Sequence, residues 1–317
     1  MKVCFIGLGS IGRRHIRNLK TLCEGNSIAL TIDALRRKNS KDCEELKYVS
    51  SVYTELEKLP HDYDVIFLTN PTQFHADYLL KLQNNARHFF IEKPVATPDT
   101  VELLEQLEIP NDSVYYVAGP LRFHPVIQYI KSNIVPSDVR AVRCICSSYL
   151  PDWRASSDYR ESYSAKKELG GGVSTDLIHE WDYLSDIFGM PEEIKYFIGK
   201  ISNLEISSDD IAVYIARYQK MIVELHLDYF GRKTIRNLEI FTDNDTIFCD
   251  LLGGRVEYLV SGEHHEFSSQ RDDFQVAELD YFLKLIASND KLLKDRYGIR
   301  NAIKILKLTQ GTIMEQK

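Results

Sequence analysis

No apolar run in this 317-residue chain approaches the ~18–20 residues that cross a bilayer as a helix. There is no long block of like charge either. The 39 basic and 46 acidic side chains give a net charge of −7 and are spread along the chain, which argues against a nucleic-acid surface, because phosphate binding needs clustered Lys and Arg. Cysteine is sparse and unpatterned. Cys4, Cys23, Cys43, Cys144, Cys146 and Cys249 form no C-x-x-C and no Cys/His spacing suited to zinc, so the expectation is free thiols in a reducing cytoplasm. No internal repeat and no low-complexity linker occurs. The opening run Val3-Cys4-Phe5-Ile6 breaks at glycines with no small-residue cleavage site behind it, so no signal peptide is expected.

What is present is an ordinary globular composition, 44% hydrophobic and 27% charged, at a length that suits two domains, each with its own core. Over the first 120 or so residues, short apolar runs alternate with helical periodicity. Val3–Ile6, Ile28–Leu35, Asp64–Thr69, His88–Ile91 and Val114–Ala118 read as strands, and Ile11–Leu22 and Phe74–Asn84 as helices. That alternation predicts a parallel, doubly wound α/β sheet of the Rossmann type. After residue 123 the pattern changes to a helix, Pro125–Ile134, and then long consecutive strands. These are Val139–Tyr149, Glu193–Ile201, Ile211–Tyr218, Met221–Phe230, Leu238–Thr242, Thr246–Asp250 and Arg255–Val260, with hairpin turns at Gln219-Lys220 and Asp243-Asn244-Asp245. A helix from Thr175 to Phe188 interrupts them, and helices Phe274–Ala287 and Ile299–Met314 close the chain. The expected division is therefore a nucleotide-binding domain over 1–122 and an α/β domain over 123–317 with a large, mostly antiparallel open sheet. The terminal helix is free to pack back on the first domain.

Gly7-x-Gly9-x-x-Gly12 ends the first strand and opens a helix. Such a loop allows a tight turn, close approach of a pyrophosphate to the backbone, and close helix–strand packing, while Ser10 and Ile11 sit at the positive helix N-terminus. Arg13 and Arg14 either add charge near the phosphates or are solvated. The tip of the second strand decides between cofactors: an acid there binds the ribose hydroxyls of NAD, whereas arginine accommodates the NADP phosphate. The apolar run continues through Ala34-Leu35 to Arg36-Arg37 and Ser40, which favours NADP; were Asp33 the tip residue, the preference would reverse.

The His88–Ile91 run ends in Glu92-Lys93-Pro94, and the Asp64–Thr69 run ends in Asn70-Pro71-Thr72, with His75 following. Ligands of open α/β sheets bind beyond the carboxyl ends of strands, so both segments are expected to face the nicotinamide. Oxidising an alcohol requires removal of the hydroxyl proton as hydride leaves, and a lysine held partly buried beside a positive ring can serve as that base. A third segment, Glu168-Leu-Gly-Gly-Gly172-Val-Ser-Thr-Asp176-Leu-Ile-His179-Glu-Trp-Asp182, releases a glycine-rich chain into a helix with Asp176, His179 and Asp182 three apart on one face. That spacing would also suit a metal; we assign none.

Together these segments resemble the glucose–fructose oxidoreductase / inositol dehydrogenase (Gfo/Idh/MocA) family over nearly the whole chain. The resemblance implies a Rossmann domain followed by an α/β domain whose open sheet often joins subunits, and NAD(P)-dependent chemistry on sugars, cyclitols or their derivatives. It implies that Lys93 is the general acid/base and that His179 assists proton transfer, with Asp176 orienting the histidine or a substrate hydroxyl. In many members the Asp precedes the His by four residues; here Asp176 precedes His179 by three. Arg122-Phe-His124-Pro125 resembles a family segment that lines the site.

The loop Leu150-Pro-Asp-Trp-Arg154, then Asp158-Tyr-Arg160 and Tyr163, is dense in groups that stack on sugar rings or fork onto acids; it could equally cover a partner subunit. Its pattern resembles family members of surface-glycan and nonulosonic-acid sugar metabolism. The expected cofactor-binding residues are Gly7, Gly9, Ser10, Ile11, Gly12, Arg36, Arg37, Asn70, Pro71, Thr72, His75, Glu92 and Lys93. Substrate is expected at Lys93, Arg122, Trp153, Arg154, Tyr159, Asp176 and His179. The reading is a cytoplasmic NAD(P)-dependent oxidoreductase of a sugar hydroxyl or keto carbon, leaning to NADP. It would form a homodimer or homotetramer through the open sheet. Alternatives are a reductase of a non-sugar substrate, a nucleotide-binding regulator without turnover, and Schiff-base chemistry at the lysine.

Overall fold

The computed structural model describes residues 1–154, 157–288 and 295–313. The chain clusters into two compact units: Met1–Ala118 with Arg271–Ile303, and Gly119–Gln270 with the segment from Lys304.

In the first unit, six parallel strands are ordered β3-β2-β1-β4-β5-β6. They are β1 (Lys2–Ile6), β2 (Thr31–Leu35), β3 (Ser51–Tyr53), β4 (Tyr63–Leu68), β5 (Ala86–Ile91) and β6 (Tyr115–Val117). Helices α1 (Ser10–Gly25) and α2 (His75–Leu82) lie within the crossovers. This is the doubly wound arrangement, with the strand order reversing between β1 and β4. β3 escaped the periodicity because Ser51 and Val52 are exposed and no apolar run marks it. One face of the sheet is an aromatic ladder in register. Phe5 stacks on Phe67 at 4.5 Å between ring centroids, Phe67 on Phe90 at 5.2 Å, and Tyr116 follows at 5.3 Å. Phe282, on a later helix of the same unit (Arg271–Ala287), closes against Phe90 and Tyr116. All five rings are fully buried, each contributing roughly 1.5–3 kcal/mol of burial.

The second unit holds an eight-stranded sheet, antiparallel except for one parallel pair. Its strands are β7 (Val139–Tyr149), β8 (Glu193–Gly199), β9 (Ile211–Arg217), β10 (Ile222–Asp228), β11 (Phe230–Thr242), β12 (Thr246–Asp250), β13 (Arg255–Tyr258) and β14 (His264–Glu266). The helices are α3 (Pro125–Asn133), α4 (Val173–Asp176) and α5 (His179–Phe188). The single helix expected over Thr175–Phe188 is thus two, broken at Leu177-Ile178. The expected strand Leu238–Thr242 begins earlier, at Phe230, and runs through the exposed Arg232, Lys233 and Thr234. The closing helices are α6 (Arg271–Ala287) and α7 (Ile299–Thr309). Met314, the expected end of the last one, lies outside the described residues. No helix among the described residues is long and apolar enough to cross a membrane.

Candidate active site

The glycine loop is built as its spacing requires. A Cβ on Gly12 would sit 2.5 Å from the Gly7 carbonyl oxygen and 2.7 Å from Thr69 Oγ1, so only glycine lets α1 start this close to β1 and β4. Gly9 caps α1, and no side chain caps that helix end. The first N–H groups of a 16-residue helix therefore face the loop with the positive end of its dipole. Beside it lies a cleft of about 580 Å³ lined by Gly7, Gly9, Arg36, Arg37, Ser40 and Asn70, with Phe74 and Tyr78 among its apolar walls.

Asn70 Oδ1, buried at this cleft, has no hydrogen-bond partner among the described residues. Ungated helix N–H groups, a glycine floor and an orphaned acceptor are what a dinucleotide with its phosphates and amide donors would satisfy. The residues present fit that group.

Asp33 lies inside β2, 3% exposed, and accepts a hydrogen bond from Tyr63 Oη at 2.9 Å. It is not the strand tip. The cleft instead meets Arg36, Arg37, Lys38, Ser40 and Lys41. Arg36 is the clasp of this loop, donating to the Lys41 carbonyl and pairing with Asp42 at 3.5 Å; Arg37 is exposed. Of the two helix arginines, Arg14 pairs with Asp272 at 3.3 Å.

The Glu92-Lys93-Pro94 turn follows β5, with Lys93 half-buried and a cis bond to Pro94. The Glu92 carboxylate turns towards α1, where His15 Nε2 lies 2.5 Å away. Burial alone would raise the Glu92 carboxyl, but the His15 hydrogen bond and the positive charges of His15 and Lys93 outweigh it and hold it below the ordinary glutamate range. His75, expected at the cofactor, is 1% exposed, with Nδ1 2.9 Å from the Pro94 carbonyl and Nε2 2.9 Å from that of Asn70. Both ring nitrogens serve the backbone and none is presented to the cleft. Thr72 is buried in the same turn, and Pro71 is exposed at its rim.

In the second unit the glycine-led segment is shaped by packing. Gly172 has φ +141°, and a Cβ there would meet Asp209 Oδ1 at 2.2 Å. Asp209 accepts from the Ser174 N–H, fixing the start of α4. Asp176 ends that turn and accepts a 2.6 Å hydrogen bond from Tyr229 Oη. Tyr229 is fully buried, and the half-exposed Trp153 stands edge-on to its ring at 5.2 Å. Trp153 Nε1 donates to Ser148 Oγ at 2.9 Å. Two expected substrate residues, Trp153 and Asp176, thus meet through a tyrosine that the sequence reading missed.

His179 opens α5, half-buried. Its neighbours on the helix are committed elsewhere: Glu180 to Arg236 Nε at 2.7 Å, and Asp182 to Arg122 through Nε at 2.8 Å and Nη2 at 2.5 Å. Arg122 is 2% exposed, so two of its three guanidinium nitrogens secure α5 and do not form an open fork for substrate. Asp182, which the spacing offered as a metal ligand, is this arginine's partner. No group of three or more His, Cys, Asp or Glu among the described residues is arranged to hold a metal. Tyr159 Oη accepts from the Glu205 N–H at 3.2 Å on the surface. Arg154 is exposed at the edge of the pair 155–156, which lies outside the described residues.

Residues 1–115 match the family model GFO_IDH_MocA, described as an oxidoreductase family with an NAD-binding Rossmann fold. An uncharacterized oxidoreductase of Bacillus subtilis (strain 168) is 27% identical over 188 residues, 58% of this chain and 52% of that protein. The match therefore spans about half of that relative's length. Myo-inositol 2-dehydrogenase of Thermotoga maritima is 21% identical over 309 residues, 92% of this chain and 89% of that one. Among solved structures, levoglucosan dehydrogenase in complex with NADH superposes with a TM-score of 0.81 at 14% identity, over 98% and 95% of the two chains. UDP-N-acetylglucosamine 3-dehydrogenase from Acidithiobacillus ferrooxidans gives 0.71 at 17% identity over 96% of each. At these identities the structural likeness is one of fold.

Proposed function

We propose that this chain, a member of the GFO/IDH/MocA oxidoreductase family through its first 115 residues, moves a hydride between a nicotinamide cofactor and a hydroxyl or keto carbon of a sugar or sugar derivative. The observation that carries the proposal is the Glu92-Lys93-Pro94 turn, which follows β5 in the same unit as the glycine-floored cleft. The bound nicotinamide would supply the hydride acceptor or donor. Gly7, Gly9, Ser10, Ile11 and Gly12 would hold its pyrophosphate through the backbone and helix dipole, with Asn70 accepting from a donor on the ligand. Lys93 would take the hydroxyl proton as hydride leaves the carbon, and as an ammonium would return it in the reverse direction. The second unit holds Asp176, Tyr229, Trp153 and His179, a mixture of carboxylate, hydroxyl, ring face and imidazole suited to sugar hydroxyls. We assign substrate recognition and the assisting proton transfer to them.

The relatives named for inositol, levoglucosan and a UDP-amino sugar support a sugar-type substrate. Arg37, Lys38, Ser40 and Lys41 at the β2 tip, with Asp33 withdrawn into the strand, support NADP over NAD. Phe197, Ile215 and Ile222, exposed on one face of β8, β9 and β10, support self-association of that sheet.

The test is reduction of NADP⁺ or NAD⁺ with a panel of myo-inositol, levoglucosan and UDP-N-acetylglucosamine, followed by nicotinamide absorbance, in wild type and Lys93→Met. The variant should bind NADPH within about 3-fold of wild type and lose about 10²–10⁴-fold in kcat. Near-normal turnover by Lys93→Met would sink the assignment.

A further inference from the structure

The segment that carries Lys93 is gripped from two sides by buried imidazoles on different helices. His15, on the helix that opens with the glycine loop, holds the Glu92 carboxylate through Nε2 at 2.5 Å. His75, the first residue of α2, lies 2.9 Å from the Pro94 carbonyl on one side and 2.9 Å from the Asn70 carbonyl on the other. Both rings are 1% exposed, so neither is open to solvent.

The two grips differ in chemistry. At His75 both partners are carbonyl oxygens, which only accept, and burial pushes the imidazole towards its neutral form against the pull of those carbonyls. A neutral ring donates to one of them at a time. At His15 the partner is an anionic carboxylate, a stronger acceptor, and the other ring nitrogen, Nδ1, has no partner among the described residues. His15 also packs edge-on against Phe90, at 5.0 Å between centroids, so the ring cannot swing without disturbing β5.

We infer that His15 and His75 are positioning residues for Lys93: they clamp the Glu92–Pro94 turn between the helix of the glycine loop and the Asn70 turn. Glu92 then acts through His15 and is not a ligand contact. The inference rests on the reading of Lys93 as the proton-transfer group. Its mechanical content is independent of that reading. Glu92 and Lys93 are consecutive, and the Lys93 N–H itself lies 3.3 Å from Glu92 Oε2. Release of the carboxylate from His15 therefore frees the backbone that aims the lysine. A misplacement of about 1 Å at a reacting group is worth roughly 10²-fold in rate.

The experiment compares His15→Leu and His15→Gln in the full chain, by hydrogen exchange of backbone amides, NADPH binding and turnover of the panel sugars. Leu removes the donor; Gln places an amide N–H at a similar reach. In His15→Leu, exchange over 88–96 should quicken by at least about 10-fold while β1 and β4 stay within about 2-fold. The NADPH Kd should stay within about 3-fold, because the phosphates are held by backbone groups, and kcat should fall about 10- to 100-fold. His15→Gln should recover most of both losses. Faster exchange spread evenly over β1, β4 and β5 in His15→Leu would show a packing role and overturn the clamp. So would unchanged exchange, or a folded His15→Gln that recovers nothing. Lys93→Met separates the two readings: if it keeps its turnover, the proton-transfer assignment fails, while the local exchange over 88–96 still decides whether His15 holds the turn.

Discussion

Asp182→Ala should destabilise the second unit by about 3–5 kcal/mol, the range for removing one partner of a buried ion pair. The structure sets this scale. The carboxylate meets Arg122 through two nitrogens, at 2.8 and 2.5 Å, and the side chains are 3% and 9% exposed. Without Asp182 a guanidinium that cannot shed its proton is left in the interior. The reverse deletion is milder. Burial already raises the Asp182 carboxyl against the lowering effect of Arg122, so in Arg122→Met the acid can neutralise itself by binding a proton. The expected order of stability is wild type, then Arg122→Met, then Asp182→Ala. The double variant Arg122→Met/Asp182→Leu should lie within about 1–2 kcal/mol of wild type, because an apolar pair avoids the desolvation of both charges. Both tryptophans, Trp153 and Trp181, lie in the second unit, so urea unfolding followed by tryptophan fluorescence reports that unit. A cost below about 1 kcal/mol for Asp182→Ala, or a double variant as unstable as the single, would refute the assignment of Arg122 to the anchoring of α5.

Three further outcomes are expected. Burial, then the Arg236 charge, lowers the His124 imidazole from 6.5 to about 4. The unfolded chain therefore takes up the proton first as pH falls, and stability present above the unfolded value is lost on the way down. About 2 kcal/mol should disappear between pH 7 and pH 5, and His124→Asn, which keeps an acceptor for the Val126 N–H, should flatten that slope in urea titrations at the two pH values. Arg37→Ser should raise the NADPH Kd by about 10- to 100-fold while NADH changes by less than about 3-fold; equal losses for both cofactors would remove Arg37 from phosphate recognition. Tyr229→Phe deletes the hydroxyl that donates to Asp176 at 2.6 Å, and kcat/KM on the accepted sugar should fall about 10-fold with the unfolding midpoint little changed.

The parallel sheet was legible because its strands are apolar runs buried on both faces, and the glycine loop because its spacing follows from backbone contact. β3 was not, since it pairs through the backbone alone with Ser51 and Val52 exposed. Asp33 illustrates a deeper limit. Its offset from Gly12 suits a ribose ligand, and only the continuation of the apolar run to Leu35 places it inside the strand, where Tyr63 holds it. His15 carried a signal that went unread: a polar residue in the buried stripe Gly12, Ile16, Leu19, Cys23 of α1, at helical spacing. Its partner is 77 residues away, and no local pattern supplies that pairing. Arg122 shows the opposite error. Its segment resembles one that lines the family's site, and substrate was expected there, yet the carboxylate that Arg122 binds is the chain's own Asp182.

That pairing also explains why the His-Glu-Trp-Asp stretch is so polar for a helix that is largely interior. Trp181 and Tyr183 are fully buried, and Glu180 and Asp182 are buried with them. Two desolvated ion pairs are a poor means of gaining stability, because desolvation offsets most of the attraction. They are an effective means of fixing rotation. Arg122 comes from the chain before α3 and Arg236 from β11, so the helix is held at two points one turn or less apart along its axis, by partners on different elements. A helix anchored only by Trp181 and Leu184 could roll within an apolar groove; one whose acids must meet two particular guanidinium groups cannot. Asp176 cannot be held in the same way, since Leu177-Ile178 separate it from α5. Its orientation comes from Tyr229 instead. The three-residue step from Asp176 to His179 is therefore accommodated by two separate supports, a tyrosine for the acid and an ion-paired helix for the imidazole, so the relation of the two groups does not depend on a single continuous turn of helix.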